Sequence, residues 1–337
     1  VGAHDRRDIV ENIYQIVRWR GLLDFLIGQE PFSWEKRLAL LKHFQPQKYF
    51  TDSRLPPHIR VSFPQNYFQK LVEGYGEEKA LQLAFILNTP APTTIRANLS
   101  KTTRDDLYAS LQKHCPVTKC LHSPAGLTLQ KKISLFGLPE FKAGLFEIQD
   151  EGSQLVAELV QGQPGQQVLD YCAGAGGKTL AFAYKMQGQG QIYLHDIRTW
   201  ILLQAKKRLK RAGIQNAQFH LPPACQGKMD WVLVDAPCSG SGTLRRNPDM
   251  KWKFIPSLVS NLVQEQRAIF QQALPYLKPN GHIIYATCSL FPEENQEQAD
   301  YFLKQHSLKM VQQFQTLPVE NGADGFLTFY LVFLSHA

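Results

Sequence analysis

From residue 146 to the C-terminus, short apolar runs alternate with segments of helical period. "QQVLDYC", "QIYLHD", "MDWVLVDAP" and "GHIIYATCS" read as strands. Between them lie "GKTLAFAYKM", "RTWILLQAKKRLKRAG" and "LVQEQRAIFQQALPYL", which read as helices. The second of these stops at Gly213 and carries Lys and Arg in its last turns, as helix ends prefer. Strand–helix alternation of this kind predicts an α/β domain with a doubly wound, Rossmann-like, mostly parallel sheet. "GFLTFYLVFL" at 325–334 reads as one more buried strand. In such sheets ligands sit beyond the carboxyl ends of the strands. Asp170–Cys172, Asp196, Asp235–Cys238 and Cys288 are therefore expected to face one crevice.

The rest of the chain divides in two. Residues 1–58 read as a helical segment, with Ser33 as a candidate N-cap for "WEKRLALLKHF". Pro56–Pro57 breaks that pattern. Residues 59–145 read as a small α+β unit: two helices split around Gly74–Gly76, then strand, helix and strand. Residues 146–337 form the third part. A chain of 337 residues exceeds what one core usually serves. No apolar run approaches the ~18–20 residues that span a membrane. Six cysteines imply no disulfide scaffold and a reducing, cytoplasmic setting. The net charge of +8 hints at a polyanionic partner. No secretory signal is legible, and the chain opens on Val1 rather than Met, so an N-terminal truncation stays open.

Two stretches carry chemistry. "VLDYCAGAGGKT" is strand, glycine turn and helix start. Its end, Gly177–Lys178–Thr179, imitates a P-loop, with the Asp235 strand in the place of a Walker B acid. The first P-loop glycine, however, falls on Cys172. The other reading is a nucleoside cofactor held by the turn, with its ribose on Asp196, 20 residues beyond Gly176. Cys238 and Cys288, each at a strand end, favour the second. A nucleotide-hydrolysing enzyme has no use for two thiols there. An enzyme that methylates a pyrimidine does, because a thiolate added to carbon 6 makes carbon 5 a nucleophile. A second group must then help remove the carbon 5 proton and release the enzyme thiol. The plain alternative is that both cysteines are small buried hydrophobes.

"DAPCSGSGTLRRNPDMKW" and "YATCSLFPEENQEQ" closely resemble the RNA cytosine-5 methyltransferases of the Sun/RsmB type. "FEIQDEGSQLVAELV" resembles the family's lead into its catalytic domain, and "APTTIRANLSKTTRDDLYASL" its small RNA-binding subdomain. "DRRDIVENIYQIVRWRGLLD" is similar to its helical, NusB-related N-terminal region. The resemblance implies that Cys288 is the nucleophile and that Cys238 assists product release. It implies that Asp235 touches the flipped cytosine or the cofactor, and that Lys178 faces the same centre. Cys172, Ala173, Gly174, Ala175, Gly176, Gly177 and Lys178 would cradle S-adenosylmethionine, with Asp196 on the ribose. Small-subunit (16S) ribosomal RNA is the implied substrate, transfer RNA the alternative; a nucleotide-hydrolysing RNA-binding protein and a non-catalytic ribosome assembly factor are the readings from other classes.

Three departures stand out. The family's Ala-Pro in the cofactor loop is Gly174–Ala175 here. "FHLPPACQGK" at 219–228 holds no acid to meet the adenine. The C-terminal "FLSHA" lacks the family's closing basic residue. In the long loop 239–257, Arg245, Arg246 and Lys251 are expected to touch RNA, with Trp252 and Phe254 either stacking on bases or packing in the core. Lys206, Lys207, Arg208, Lys210 and Arg211 read as a solvated helix face, with RNA contact as the alternative. His114, Cys115, Cys120 and His122 lack the repeated pairs of a zinc site and are expected to be solvated turn residues, with no metal bound. A monomer is the default.

Overall fold

The computed structural model describes residues 2–333. It contains two sheets. The larger has the order β10-β11-β9-β8-β5-β6-β7, built from β5 (Gln167–Asp170), β6 (Gln191–Leu194), β7 (Ala217–Gln218), β8 (Met229–Asp235), β9 (Leu277–Thr287), β10 (Leu308–Thr316) and β11 (Phe326–Phe333). Strands β7, β6, β5, β8 and β9 run parallel. β11 lies antiparallel to β9, and β10 antiparallel to β11. The sheet is therefore mixed, as the Rossmann-like reading expects.

The apolar runs are continuous because both faces are covered. On one face Val232, Val234, Ile283 and Tyr285 pack with Phe270 and Phe302. On the other, Trp231, Leu233 and Ile284 share a core with Leu202, Ala205 and Leu209 of the helix Thr199–Ala212. Gly213 ends that helix in the left-handed region, φ 85°. The pairing of β8 with β9 sets Asp235 beside Ala286. That register places the two cysteine turns side by side.

The smaller sheet has the order β2-β3-β1-β4, from β1 (Thr93–Ala97), β2 (Val117–Lys119), β3 (Gly126–Leu129) and β4 (Phe146–Ile148), all antiparallel. It therefore runs past residue 145, and the segment expected to open the catalytic part instead closes this sheet. The helices Gln65–Tyr75 and Glu77–Leu87 do break at Gly76, φ 76°. They pack mainly on Leu244, Phe254, Val259, Leu290 and Phe291 rather than on the small sheet. The helix Ala3–Ile27 contributes Trp19, Leu22 and Leu23 to a separate N-terminal cluster. Ser33 caps the next helix, accepting from the Lys36 amide at 3.2 Å.

The small sheet is bolted to the far end of the helix Thr199–Ala212. Asn98 Nδ2 donates to the carbonyls of Ala212 and Gly144, each at 2.9 Å. Lys101 Nζ donates to the Arg211 carbonyl at 2.8 Å. Buried Glu147 takes both Arg208, at 3.0 Å, and Arg211. These bonds satisfy carbonyls that a helix C-terminus leaves open. No helix among the described residues is long and apolar enough to cross a membrane. The absent basic residue of the C-terminal tail falls on 334–337, outside the described residues.

Candidate active site

β8 ends at Asp235, and the turn Ala236–Pro237 delivers Cys238. β9 ends at Thr287 and delivers Cys288. The two sulfurs lie 3.2 Å apart, and the Cys288 amide donates to Cys238 Sγ at 3.3 Å. Lys178, nearly buried, pairs with Asp235 at the mouth of the same cleft. The hydrogen bond the two sulfurs share lowers the pKa of Cys288 and raises that of Cys238 well above the ordinary thiol value. Burial and Asp235 oppose the Cys288 thiolate, while Lys178 supports it. At Lys178 burial disfavours the ammonium, but Asp235 outweighs it and the pKa rises. The neighbouring Cys238 sulfur and the Lys178 ammonium thus both favour the charged form of Cys288.

Beside the cysteines sits a buried polar layer. Glu294, fully buried, accepts from the Ser239 amide at 2.8 Å, from Gln266 Nε2 at 3.0 Å and from Ser289 Oγ at 2.5 Å. Ser239 and Ser289 are the residues that follow the two cysteines.

The glycine turn lies beside this centre. Gly174 (φ 51°) and Gly176 (φ 75°) adopt left-handed backbone, and a Cβ at Gly176 would meet Ala205 Cβ at 3.2 Å. The Gly174 amide donates to Asp196 Oδ2 at 2.9 Å. Arg198 bonds both oxygens of Asp196. Burial disfavours the Asp196 carboxylate, but these bonds outweigh it and its pKa is lowered. Asp170 accepts from Thr179 Oγ1 at 2.7 Å, while its buried Oδ1 has no partner. Burial pushes Asp170 up to about 7. The Cys172 thiol is pushed far up, first by burial and then by neighbouring carboxylates. A cavity of about 880 Å³ joins these groups, running from Asp196, Ile197 and Arg198 past Asp170 and Lys178 to Cys238 and Cys288.

Residues 157–330 match the family described as 16S rRNA methyltransferase RsmB/F. The chain belongs to the RsmB/F methyltransferase family. Residues 63–135 match the ferredoxin-like domain that accompanies it. Among curated relatives, the chain is 33% identical over 307 residues to the ribosomal RNA small subunit methyltransferase B of Photorhabdus laumondii, covering 86% of this chain and 70% of the relative. It is 31% identical over 300 residues to the same-named protein of Proteus mirabilis, covering 86% and 67%. A probable methyltransferase B of Synechocystis is 32% identical, with 73% of this chain and 57% of that protein covered. The chain thus spans a little over half to about two thirds of these relatives' length. The fold is shared with a methyltransferase homolog protein from Pyrococcus horikoshii (TM-score 0.70, 25% identity, 84% of this chain and 100% of that chain). It is also shared with NSun6 from the same organism, solved with SFG (TM-score 0.73, 18% identity, 82% and 100%).

S-adenosylmethionine is the methyl donor of this RsmB/F site, and the residues fit it. The turn brings backbone close to the cavity, the unpartnered Asp170 Oδ1 suits the ammonium of the methionine end, and exposed Ile197 offers an apolar surface at the opposite end. Both oxygens of Asp196 are already engaged, so a ribose diol there would displace the mostly exposed Arg198.

The expected RNA contacts in loop 239–257 need correction. Arg245 is 1% exposed and donates to the carbonyls of Val319, Gly322 and Pro90. Lys251 is fully buried and donates to the Arg18 carbonyl and Asn88 Oδ1. Both turn inward because the loop folds under the N-terminal helix and the 317–325 segment. Arg246 keeps some exposure but is held by Asp324 at 2.6 Å and Asp150 at 2.9 Å. Trp252 donates to the Val17 carbonyl, and Phe254 packs on Tyr67, so core packing prevails over stacking. In the basic helix Lys206, Lys207 and Lys210 are exposed, while Arg208 and Arg211 face Glu147. Cys115 and Cys120 are buried rather than solvated. Sequence reading missed Arg96 and Gln149, which both donate to the Gly177 carbonyl at 3.2 Å and tie the small sheet to the cofactor turn. The polar run "IQDEGSQ" was the available signal for Gln149.

Proposed function

We propose that this chain transfers a methyl group from S-adenosylmethionine to carbon 5 of a cytosine in small-subunit ribosomal RNA. The observation that carries the reading is the pair of thiols, 3.2 Å apart on adjacent strand ends, in one cavity with the paired Lys178 and Asp235. The names of the curated relatives support small-subunit ribosomal RNA as the substrate.

The chemistry follows from charge and position. A cytosine unstacked into the cavity presents carbon 6 to the Cys288 thiolate. The new S–C bond pushes an electron pair to carbon 5, which takes the methyl group as the sulfonium of the donor leaves as a thioether. Carbon 5 then gives its proton to solvent, the C–H electron pair re-forms the ring double bond, and the S–C bond breaks so that Cys288 departs as thiolate. Cys238, beside Cys288, is placed to assist that release. Asp235 holds Lys178 through Oδ2 and leaves Oδ1 to accept from the cytosine amino group.

The test is a Cys238→Ala variant mixed with S-adenosylmethionine and unmodified small-subunit ribosomal RNA, run on a denaturing gel. A slow-migrating protein–RNA band that vanishes when Cys288 is also replaced is the expected result. No band from an enzyme whose parent transfers labelled methyl groups would overturn the cysteine roles. No transfer by the parent on either naked RNA or assembling subunits would overturn the substrate.

A further inference from the structure

The helix Thr199–Ala212 lies on the sheet by Leu202, Ala205, Leu209 and Ala212. At 3.6 residues per turn, Trp200, Leu203, Lys207 and Lys210 stand on the opposite side and face out. All four are exposed, Trp200 at 60% and Leu203 at 64%. The usual structural duties of helix lysines are met by other groups. The helix holds no acid, so it makes no i, i+4 ion pair of its own. Asn98 and Lys101 already serve its last carbonyls, and Arg208 and Arg211 already take Glu147. Among the described residues no acid pairs with Lys207 or Lys210.

We propose that the outer face of this helix is a docking surface for unpaired RNA, on which Trp200 stacks against a base and Lys207 and Lys210 meet phosphates. The proposal deepens the function proposed above and rests on it for RNA as the partner.

The chemistry of the face selects that partner. An exposed Trp–Leu patch set among cations is an interaction site. Protein interfaces are depleted in Lys. A membrane-surface helix turns its main apolar side outward, whereas here that side is buried in the core. A single strand of nucleic acid matches both parts of the face: phosphates suit the ammonium groups, and base faces suit the indole. The net charge of +8 agrees. The position agrees as well. The helix begins directly after Ile197 and Arg198, which line the donor cavity, and it ends against the small sheet.

Fluorescence anisotropy of the full chain with fluorescein-labelled oligouridylate, titrated over a series of salt concentrations, tests the proposal. The double variant Lys207→Gln, Lys210→Gln is expected to weaken binding. It should also flatten the slope of log affinity against log salt by about 1.4, at about 0.7 per phosphate on a single strand. Lys304→Gln with Lys309→Gln removes the same charge elsewhere, from the helix Gln296–Gln305 and the edge strand β10, and is expected to leave the slope unchanged. Trp200→Ala is expected to weaken binding about tenfold at every salt concentration without changing the slope. An unaltered slope in the Lys207, Lys210 variant overturns the proposal. So does an equal flattening in the Lys304, Lys309 variant, which would mean that net charge alone is read. Trp200→Ala binding RNA as the parent does also overturns it, and if that variant dissolves a parent dimer in sedimentation, the patch belongs to a second copy of the chain. A parent that methylates ribosomal RNA while the helix variants bind unchanged refutes this inference and leaves the proposed function standing. A parent that shows the expected slopes but methylates no RNA refutes the function and leaves the docking surface standing.

Discussion

Replacing Arg245 with Ala separates two views of the loop that carries it. A surface arginine at an RNA interface would cost affinity and little stability. The structure demands the reverse. Arg245 is sealed inside, and its guanidinium serves three carbonyls at 3.0–3.2 Å on two distant segments. It also stands 3.8 Å from buried Asp324. Removing it leaves those carbonyls without their donor and strips Asp324 of one of two cations. Breaking one side of a buried charged network costs about 3–5 kcal/mol. With about 2.1 cal/mol/K of unfolding entropy per residue, the whole chain carries about 0.7 kcal/mol/K, so a loss near 4 kcal/mol lowers Tm by about 6 °C. Thermal unfolding followed by circular dichroism reads the shift, and fluorescence anisotropy with labelled RNA reads affinity below the transition. A variant that melts with the parent but binds RNA many-fold more weakly would refute the burial argument.

Two further predictions concern the cofactor turn. Burial pushes Asp170 up to about 7 in the folded chain, against an ordinary carboxyl value of 3.8, so between these values the folded state keeps a proton that the unfolded chain has lost. Its contribution is complete below pH ~4 and is lost as pH rises toward ~7. Asp170→Asn is expected to flatten that decline in urea midpoints measured between pH 4 and 8 without cofactor; a parent whose stability does not fall there contradicts the assignment. Gly176→Ala puts a Cβ on a backbone at φ 75° and 3.2 Å from Ala205, at a strain of about 1–2 kcal/mol. Calorimetry is expected to show S-adenosylmethionine binding weakened about tenfold, and unchanged binding would show that the turn does not touch the donor.

Much of this was legible because burial on two faces leaves a plain signature. Val168–Leu169 of β5, Trp231–Val234 of β8 and Ile283–Ala286 of β9 are uninterrupted apolar runs, and the rule that ligands gather at strand ends brought Asp170, Asp235, Cys238 and Cys288 together. Ser33 and Gly213 were readable from the needs of helix ends. β10 was not, because it is an edge strand with exposed polar residues and a bulge between Met310 and Gln312. β2 has three residues, too few for a period to show. Arg245 and Lys251 misled because a loop's composition says nothing about which way a side chain turns. Glu294 and Arg96 act across 55 and 81 residues of chain, on Ser239 and Gly177, and nothing local marks them.

The bonds from Asn98 and Lys101 to the last carbonyls of the helix Thr199–Ala212, with the Glu147 pairs beside them, fix a distance. The same small sheet holds the cofactor turn through Arg96. Swinging the sheet away would expose a helix end at one point and slacken the donor's cradle at another. The molecule is in that sense a gauge with fixed jaws. A nucleic acid held on the small sheet would meet the thiols at a set separation, and the travel needed to bring a base to Cys288 would fall to the nucleic acid rather than to the protein.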